Sequence, residues 1–200
     1  MLRVFLIRHG LTTMEGCYKG RLDVPLSSEG IKQMKVLAQA LRMLLEGKPL
    51  EAIYCSSLRR AKEGAGIIAQ AWEAPVRISP SLRERHFGAW EGRSHEELRT
   101  EPQYQDWLKE PLGRTPPGGE PFETFRKRVL GAWRDITASH QEGNICIVAH
   151  GGTNRLILCH LLGLPLEKLF CLAQEPGCLN VLELEPQGML LRHLNWRPLS

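Results

Sequence analysis

No stretch of this chain approaches the roughly 18 uncharged apolar residues that a membrane-spanning helix requires. Its apolar start, Leu2 to Ile7, is too short for a secretory signal. A soluble cytoplasmic protein with no membrane partner is expected. Cysteine pairing is also missing. The six cysteines, Cys17, Cys55, Cys146, Cys159, Cys171 and Cys178, include no C-x-x-C pair, which argues against a disulfide framework and against zinc, so no metal site is expected. Nor is charge of one sign gathered into a block: 26 Lys and Arg stand against 22 Asp and Glu, interspersed along the chain. That distribution argues against nucleic acid and is compatible with a small anionic ligand. There is no internal repeat and no low-complexity segment.

What is present is enough for one domain. With 200 residues, 42% apolar and 24% charged, residues 1–200 are expected to bury one sizeable core. Short apolar runs at Leu2–Ile7, Ala52–Cys55, Val76–Ile78 and Ile145–Ala149 predict strands. Between them, Ile31, Met34, Leu37, Leu41 and Leu44 recur at helical spacing after Ser27 and Ser28. Leu58 to Trp72, Phe122 to Ile136 and the stretch after His150 repeat that spacing, and Val181–Leu184 with Met189–His193 predict a terminal hairpin. Alternating strands and helices imply an α/β fold, a three-layer α/β/α sandwich around a mostly parallel central sheet. Residues from about 80 to 120, with Pro102, Pro111, Pro116 and Pro117, predict an irregular lid with short helical pieces.

In such sheets ligands bind beyond the carboxyl ends of the strands, and the residues found there suit phosphate. Arg8-His9-Gly10 follows the first strand, Ser56-Ser57-Leu58-Arg59-Arg60 the second and His150-Gly151-Gly152 the fourth, while Glu84 lies in the loop after the third. Parallel strands would aim two histidines, two arginines and a carboxylate at one crevice. Arginine forks and helix-start N–H groups are what bind a phosphate monoester. Arg8-His9-Gly10 resembles the R-H-G signature of the histidine phosphatase family, which includes the cofactor-dependent phosphoglycerate mutases. The resemblance continues in order through Asp23-Val24-Pro25-Leu26, Ser57-Leu58-Arg59-Arg60-Ala61, Leu82-Arg83-Glu84, Phe87-Gly88-Ala89-Trp90-Glu91-Gly92, Pro117-Gly118-Gly119-Glu120 and Val148-Ala149-His150-Gly151-Gly152.

That resemblance implies a phosphoglycerate mutase-like fold in which His9 attacks phosphorus and becomes a phosphohistidine. Arg8, Arg60 and His150 would hold the phosphoryl oxygens, with Thr12, Gly20 and Gly151 beside them, and Glu84 would protonate the leaving oxygen and later activate water. The physical reasons are general. A nucleophilic imidazole needs a neutral attacking nitrogen, which a backbone carbonyl on its other nitrogen secures. Converging cations stabilise the spread charge of phosphoryl transfer, so no cofactor is required. The chain departs from the family where an Asn is often found, carrying Glu15 in a loop two residues shorter, and where a Thr often follows the second arginine, carrying Gly64.

The expected partner is a small phosphorylated metabolite. Phosphoglycerate mutases of the family are usually longer, which favours hydrolysis. The segments Tyr18 to Leu26, Pro117 to Glu120, Asn180-Val181 and Leu194-Asn195 resemble members that act on α-ribazole 5′-phosphate in cobalamin nucleotide-loop assembly. A broad-specificity phosphatase, a phosphoglycerate mutase and a catalytically silent binding protein stay open as alternatives. Trp90, Trp107, His86 and Tyr104 could stack on a substrate base or pack beneath the lid, and Glu120 with Arg128 could brace it. A homodimer is compatible with the sequence without being derivable from it.

Overall fold

The computed structural model describes residues 1–198; Leu199 and Ser200, the end of the expected domain, lie outside the described residues. Six strands form one sheet: β1 (Leu2–Arg8), β2 (Ala52–Ser56), β3 (Val76–Ser79), β4 (Gly143–Ala149), β5 (Leu179–Glu185) and β6 (Gly188–Trp196). Their order is β3-β2-β4-β1-β5-β6. The first four run parallel, β5 pairs antiparallel with β1, and β6 closes the hairpin at that edge. The expected three-layer, mostly parallel architecture with an edge hairpin is what forms.

Alternation along the central strands creates the three layers. Val4 and Leu6 of β1, with Ile145, Ile147 and Ala149 of β4, pack on one face against α5 (Phe122–Ala138) and α6 (Gly151–Leu161). Phe5 and Ile7, with Cys146 and Val148, face the other way onto α1 (Ser28–Leu45) and α2 (Arg59–Trp72). Both faces of β1 and β4 are covered, which is why these strands read as continuous apolar runs. Helix α1 starts as its sequence specifies: the Ser27 hydroxyl accepts from the Gly30 N–H at 3.0 Å. Gly30 is also where the loop after β1 presses in, since a Cβ there would meet the Leu11 carbonyl at 1.9 Å and one on Gly10 would meet the Gly30 carbonyl at 2.4 Å. Two glycines thus let the turn after β1 lie directly on the start of α1.

Residues 80–120 hold the short helical pieces expected of them: 3₁₀ turns at Pro80–Leu82 and Gly88–Trp90, α3 (His95–Leu98) and α4 (Pro102–Lys109). They carry a small core of their own, in which Trp90, Leu98, Tyr104 and Trp107 are buried together with Tyr18 and Phe87 against them. Helix α3 is held by a capping box in which Ser94 and Glu97 satisfy each other's backbone N–H groups.

Among the cysteines, Cys55, Cys146, Cys159 and Cys178 are buried, Cys171 is exposed, and all six are free thiols. Among the described residues, no helix is long and apolar enough to cross a membrane.

Candidate active site

The register of the parallel strands brings the chemistry to one edge. Arg8 pairs with Ala149, so His9 and His150, each the next residue, leave β1 and β4 side by side, their ring centroids 5.2 Å apart. Strand β2 ends in Ser56 beside them, and α2 delivers Arg60 one residue into its first turn. His9, Arg60, His150 and Ser56 are all buried. The chain brings Arg8, His9, Arg60, Glu84, His150 and Gly151 to this crevice.

His9 is held in one tautomer. Its Nδ1 lies 2.7 Å from the Gly10 carbonyl oxygen, and because a carbonyl only accepts, Nδ1 carries the proton and Nε2 the lone pair. Arg60 Nε donates to that Nε2 at 3.2 Å, while its other nitrogens donate to the carbonyls of Leu22 and Gly20, each at 2.7 Å. Burial, then the charges of Arg60 and Arg8, hold the His9 pKa well below the usual imidazole value, against the opposing pull of the Gly10 bond. The ring is therefore neutral, with its lone pair facing cations. His150 is likewise held well below its usual value by burial, Arg60, His9 and Arg8. Its Nε2 lies 2.8 Å from Ser56 Oγ, and its buried Nδ1 has no protein partner.

Arg8 donates through one terminal nitrogen to the Gln174 carbonyl, while its buried Nε has no protein partner. Gln174 is itself fixed by the buried amides of Asn154 and Asn180. Glu84 is anchored at the start of α6: its Oε2 accepts from the Gly152 N–H at 2.8 Å and its Oε1 from the Arg85 N–H at 3.0 Å. A Cβ on Gly152 would lie 2.5 Å from that carboxylate, so glycine is what allows the approach.

Around this floor runs a rim. Glu120 takes a two-point ion pair from Arg128, with Nε and a terminal nitrogen each at 2.8 Å, and a third contact from Arg21 at 2.9 Å. Burial opposes the charge on Glu120, but Arg128 and Arg21 hold its carboxyl below the usual range. The pair expected to brace the lid is thus formed and buried. Arg128 also donates to the carbonyls of Ser81, Arg83 and Glu84, tying the rim to the strand-end loop.

Of the two readings open for the lid aromatics, the structure takes packing beneath the lid, and Thr12 lies elsewhere than expected. Trp90, Tyr104 and Trp107 are packed as the core of the insert, 1%, 0% and 6% exposed, leaving half-buried His86 as the available ring of the four. Thr12 turns into its own loop, its N–H and hydroxyl bonding to Glu15 Oε1 at 2.8 and 2.9 Å. Glu15 also receives Lys19 at 3.0 Å, so the shortened loop is stapled internally, and the charge of Lys19 is felt at His9. Gly20 is present at the crevice through its carbonyl, which Arg60 occupies. Gly64 sits under Met34 and Val148, where a Cβ would meet the Met34 methyl at 3.1 Å.

Sequence reasoning missed Ser56, Lys19 and Arg155. Arg155 stands on α6, where burial, then the charge of Arg8, lowers its pKa against the opposing pull of Glu84. The signal was there, because Arg155 is four residues from Gly151 on one helix face. Among the described residues, no group of three or more His, Cys, Asp and Glu could hold a metal ion.

Comparison with known proteins shows the family and the fold. Residues 4–197 match the profile of the histidine phosphatase superfamily (branch 1). The chain is similar to the adenosylcobalamin/alpha-ribazole phosphatase of Escherichia coli (strain K12), 33% identical over 100% of this chain and 98% of that one. It is also similar to phosphoserine phosphatase 1 of Hydrogenobacter thermophilus, 30% identical over 98% of this chain and 92% of the relative. The crystal structure of the alpha-ribazole phosphatase from Shigella flexneri superposes with a TM-score of 0.88 at 32% identity, covering 99% of this chain and 98% of that one.

Proposed function

The chain belongs to the histidine phosphatase superfamily, and from that premise we propose that it hydrolyses the phosphate monoester of α-ribazole 5′-phosphate through a phosphohistidine on His9. The observation that carries the reading is the His9 tautomer: Nδ1–H held by the Gly10 carbonyl, Nε2 bearing its lone pair among buried arginines. The Nε2 lone pair attacks phosphorus as the ester P–O bond breaks. Arg60 Nε–H moves its hydrogen bond from Nε2 to a phosphoryl oxygen, and Arg8 and His150 bind the others, stabilising the charge of the transition state. Glu84, when protonated, gives its proton to the leaving alkoxide; as carboxylate it then takes one from the water that breaks the P–N bond, releasing phosphate and free His9. Residues 80–120 act as the lid over this floor, with His86 and the Arg21–Glu120–Arg128 network at its inner edge.

The α-ribazole assignment is supported by the full-length similarity to phosphatases of that name in Escherichia coli and Shigella flexneri. The test is phosphate release from α-ribazole 5′-phosphate, phosphoserine and 3-phosphoglycerate by the purified protein. The highest kcat/KM is expected with α-ribazole 5′-phosphate. A tenfold preference for either other ester would replace the substrate and leave the chemistry. Absence of both phosphate release and acid-labile labelling of the chain would remove the chemistry as well, and phosphoglycerate interconversion faster than hydrolysis would make it a mutase. Glu84→Gln is expected to cost about 10²- to 10³-fold in kcat with an alkyl phosphate and much less with p-nitrophenyl phosphate, whose leaving group needs no proton.

A further inference from the structure

We propose that Ser56 is a positioning residue that fixes the tautomer of His150, donating its hydroxyl proton to His150 Nε2 so that Nδ1 carries the ring proton toward the phosphoryl pocket. The arrangement rests on three buried groups. Ser56 is fully buried at the end of β2. Its Oγ already accepts from the Leu58 N–H at 3.3 Å, within the turn that leads into α2. Its other side-chain contact among the described residues is His150 Nε2 at 2.8 Å.

A serine hydroxyl has one proton to give. With the Leu58 N–H supplying a donor, the acceptor left for that proton is the ring nitrogen, so Nε2 must be the unprotonated one. The opposite tautomer would leave two buried groups unpaired at once, the Ser56 proton and the Nδ1 lone pair, and buried polar groups are seldom left so. In the tautomer set by Ser56, the remaining open group is Nδ1–H. It is buried, has no protein partner, and belongs to a ring 5.2 Å from the His9 ring.

The two histidines are thereby set in complementary states by neighbours of opposite character. The Gly10 carbonyl, an acceptor, leaves His9 Nε2 as a lone pair for attack. The Ser56 hydroxyl, a donor, leaves His150 Nδ1 as an N–H for a phosphoryl oxygen. The role of that N–H toward phosphate rests on the proposed phosphatase reading; the tautomer itself does not.

Nitrogen-15 NMR of the histidine rings in the ligand-free protein separates the two. Seven histidines are present, and His150→Gln identifies the His150 signals by their loss. The expected result is a protonated Nδ1 and an unprotonated Nε2 in the wild type, and a mixed or reversed pattern in Ser56→Ala. A protonated Nε2 in the wild type would overturn the proposal whether or not the protein proves to be a phosphatase. So would an unchanged pattern in Ser56→Ala with an unchanged melting midpoint. Should Ser56→Ala fail to fold, the wild-type spectrum decides alone. In turnover, Ser56→Ala is expected to lower kcat by about tenfold with KM little changed, consistent with a lost transition-state contact.

Discussion

The floor of the site and its rim are built by different means. Most floor groups are tied to backbone: His9 to Gly10, Arg60 to Leu22 and Gly20, Arg8 to Gln174, Glu84 to Gly152, while His150 is held by the Ser56 hydroxyl at the end of β2. The rim hangs on side chains, an aromatic cluster and one buried carboxylate gripped by Arg128 and Arg21. The difference teaches that the reactive geometry is fixed by the sheet, whereas the enclosure is fixed by a second, smaller core that can be loosened without moving the sheet.

Breaking the floor at its centre gives the largest expected effect. His9→Ala removes the proposed attacking nitrogen, and kcat should fall by about 10⁴-fold or more, as for other covalent nucleophiles. The folded state should persist, because the strand and the Gly10–Gly30 contact do not depend on the ring. Comparing activity with the thermal midpoint checks both halves of the expectation; unfolding of the variant would show the ring to be part of the scaffold.

Breaking the rim should do the reverse. Trp90 is 1% exposed and packs edge-on against Tyr104 and Trp107, with centroids 5.1 and 5.4 Å away. Trp90→Ala is expected to cost about 3–5 kcal/mol, the usual penalty for emptying a buried aromatic site. Denaturant titration measures it. On the proposed role of the insert as a lid, KM should rise more than kcat falls; a change in kcat alone would mean that the floor had moved.

The joint between the two regions is Glu120. Removing it leaves the Arg128 and Arg21 charges unpaired while Arg128 still grips the Ser81, Arg83 and Glu84 carbonyls. Glu120→Ala should therefore cost about 3 kcal/mol, and kcat should fall as well, because Arg128, no longer clamped by Glu120, orients the Glu84 carbonyl less rigidly. Stability and kcat measured on the same variant test the coupling. A stability loss with unchanged kcat would separate rim from floor entirely.

The same contrast decides what could be read in the sequence. Runs such as Ile145 to Ala149 announce doubly covered strands, and parallel strands oblige Arg8, His9, Arg60 and His150 to converge, so the fold and the floor were legible. The rim was legible only in part. Pro117-Gly118-Gly119-Glu120 marks a turn and a carboxylate, but whether Trp90, Tyr104 and Trp107 face a ligand or one another depends on how 80–120 folds back on itself. The shortened loop gave no hint that Glu15 would bond Thr12 and Lys19, since those contacts follow from backbone geometry within the loop. Ser56 escaped notice because a serine at a strand end is ordinary until its neighbour is known to be His150.

The smallest expected effect, the change that a single histidine makes to the pH dependence of stability, also separates the regions. Burial, as the leading cause, holds the folded pKa values of His9 and His150 well below the usual imidazole value. Below about pH 6.5 the unfolded chain takes up protons that the folded floor refuses, so more protons are bound unfolded than folded and stability falls as pH drops. Each histidine contributes a slope of up to about 1.4 kcal/mol per pH unit in that window and none above it. Glu120 behaves oppositely in position. Its folded pKa lies below the usual carboxylate value, so its contribution is complete above the unfolded value and is lost as pH falls through the lower folded one. Denaturant midpoints should hence show no histidine-linked change from pH 8 to 7 and decline from about 6.5 toward 5, and His150→Gln should show a shallower decline. An equal slope in that variant would mean that His150 is free to protonate in the folded state, and the neutral floor would then rest on His9 alone.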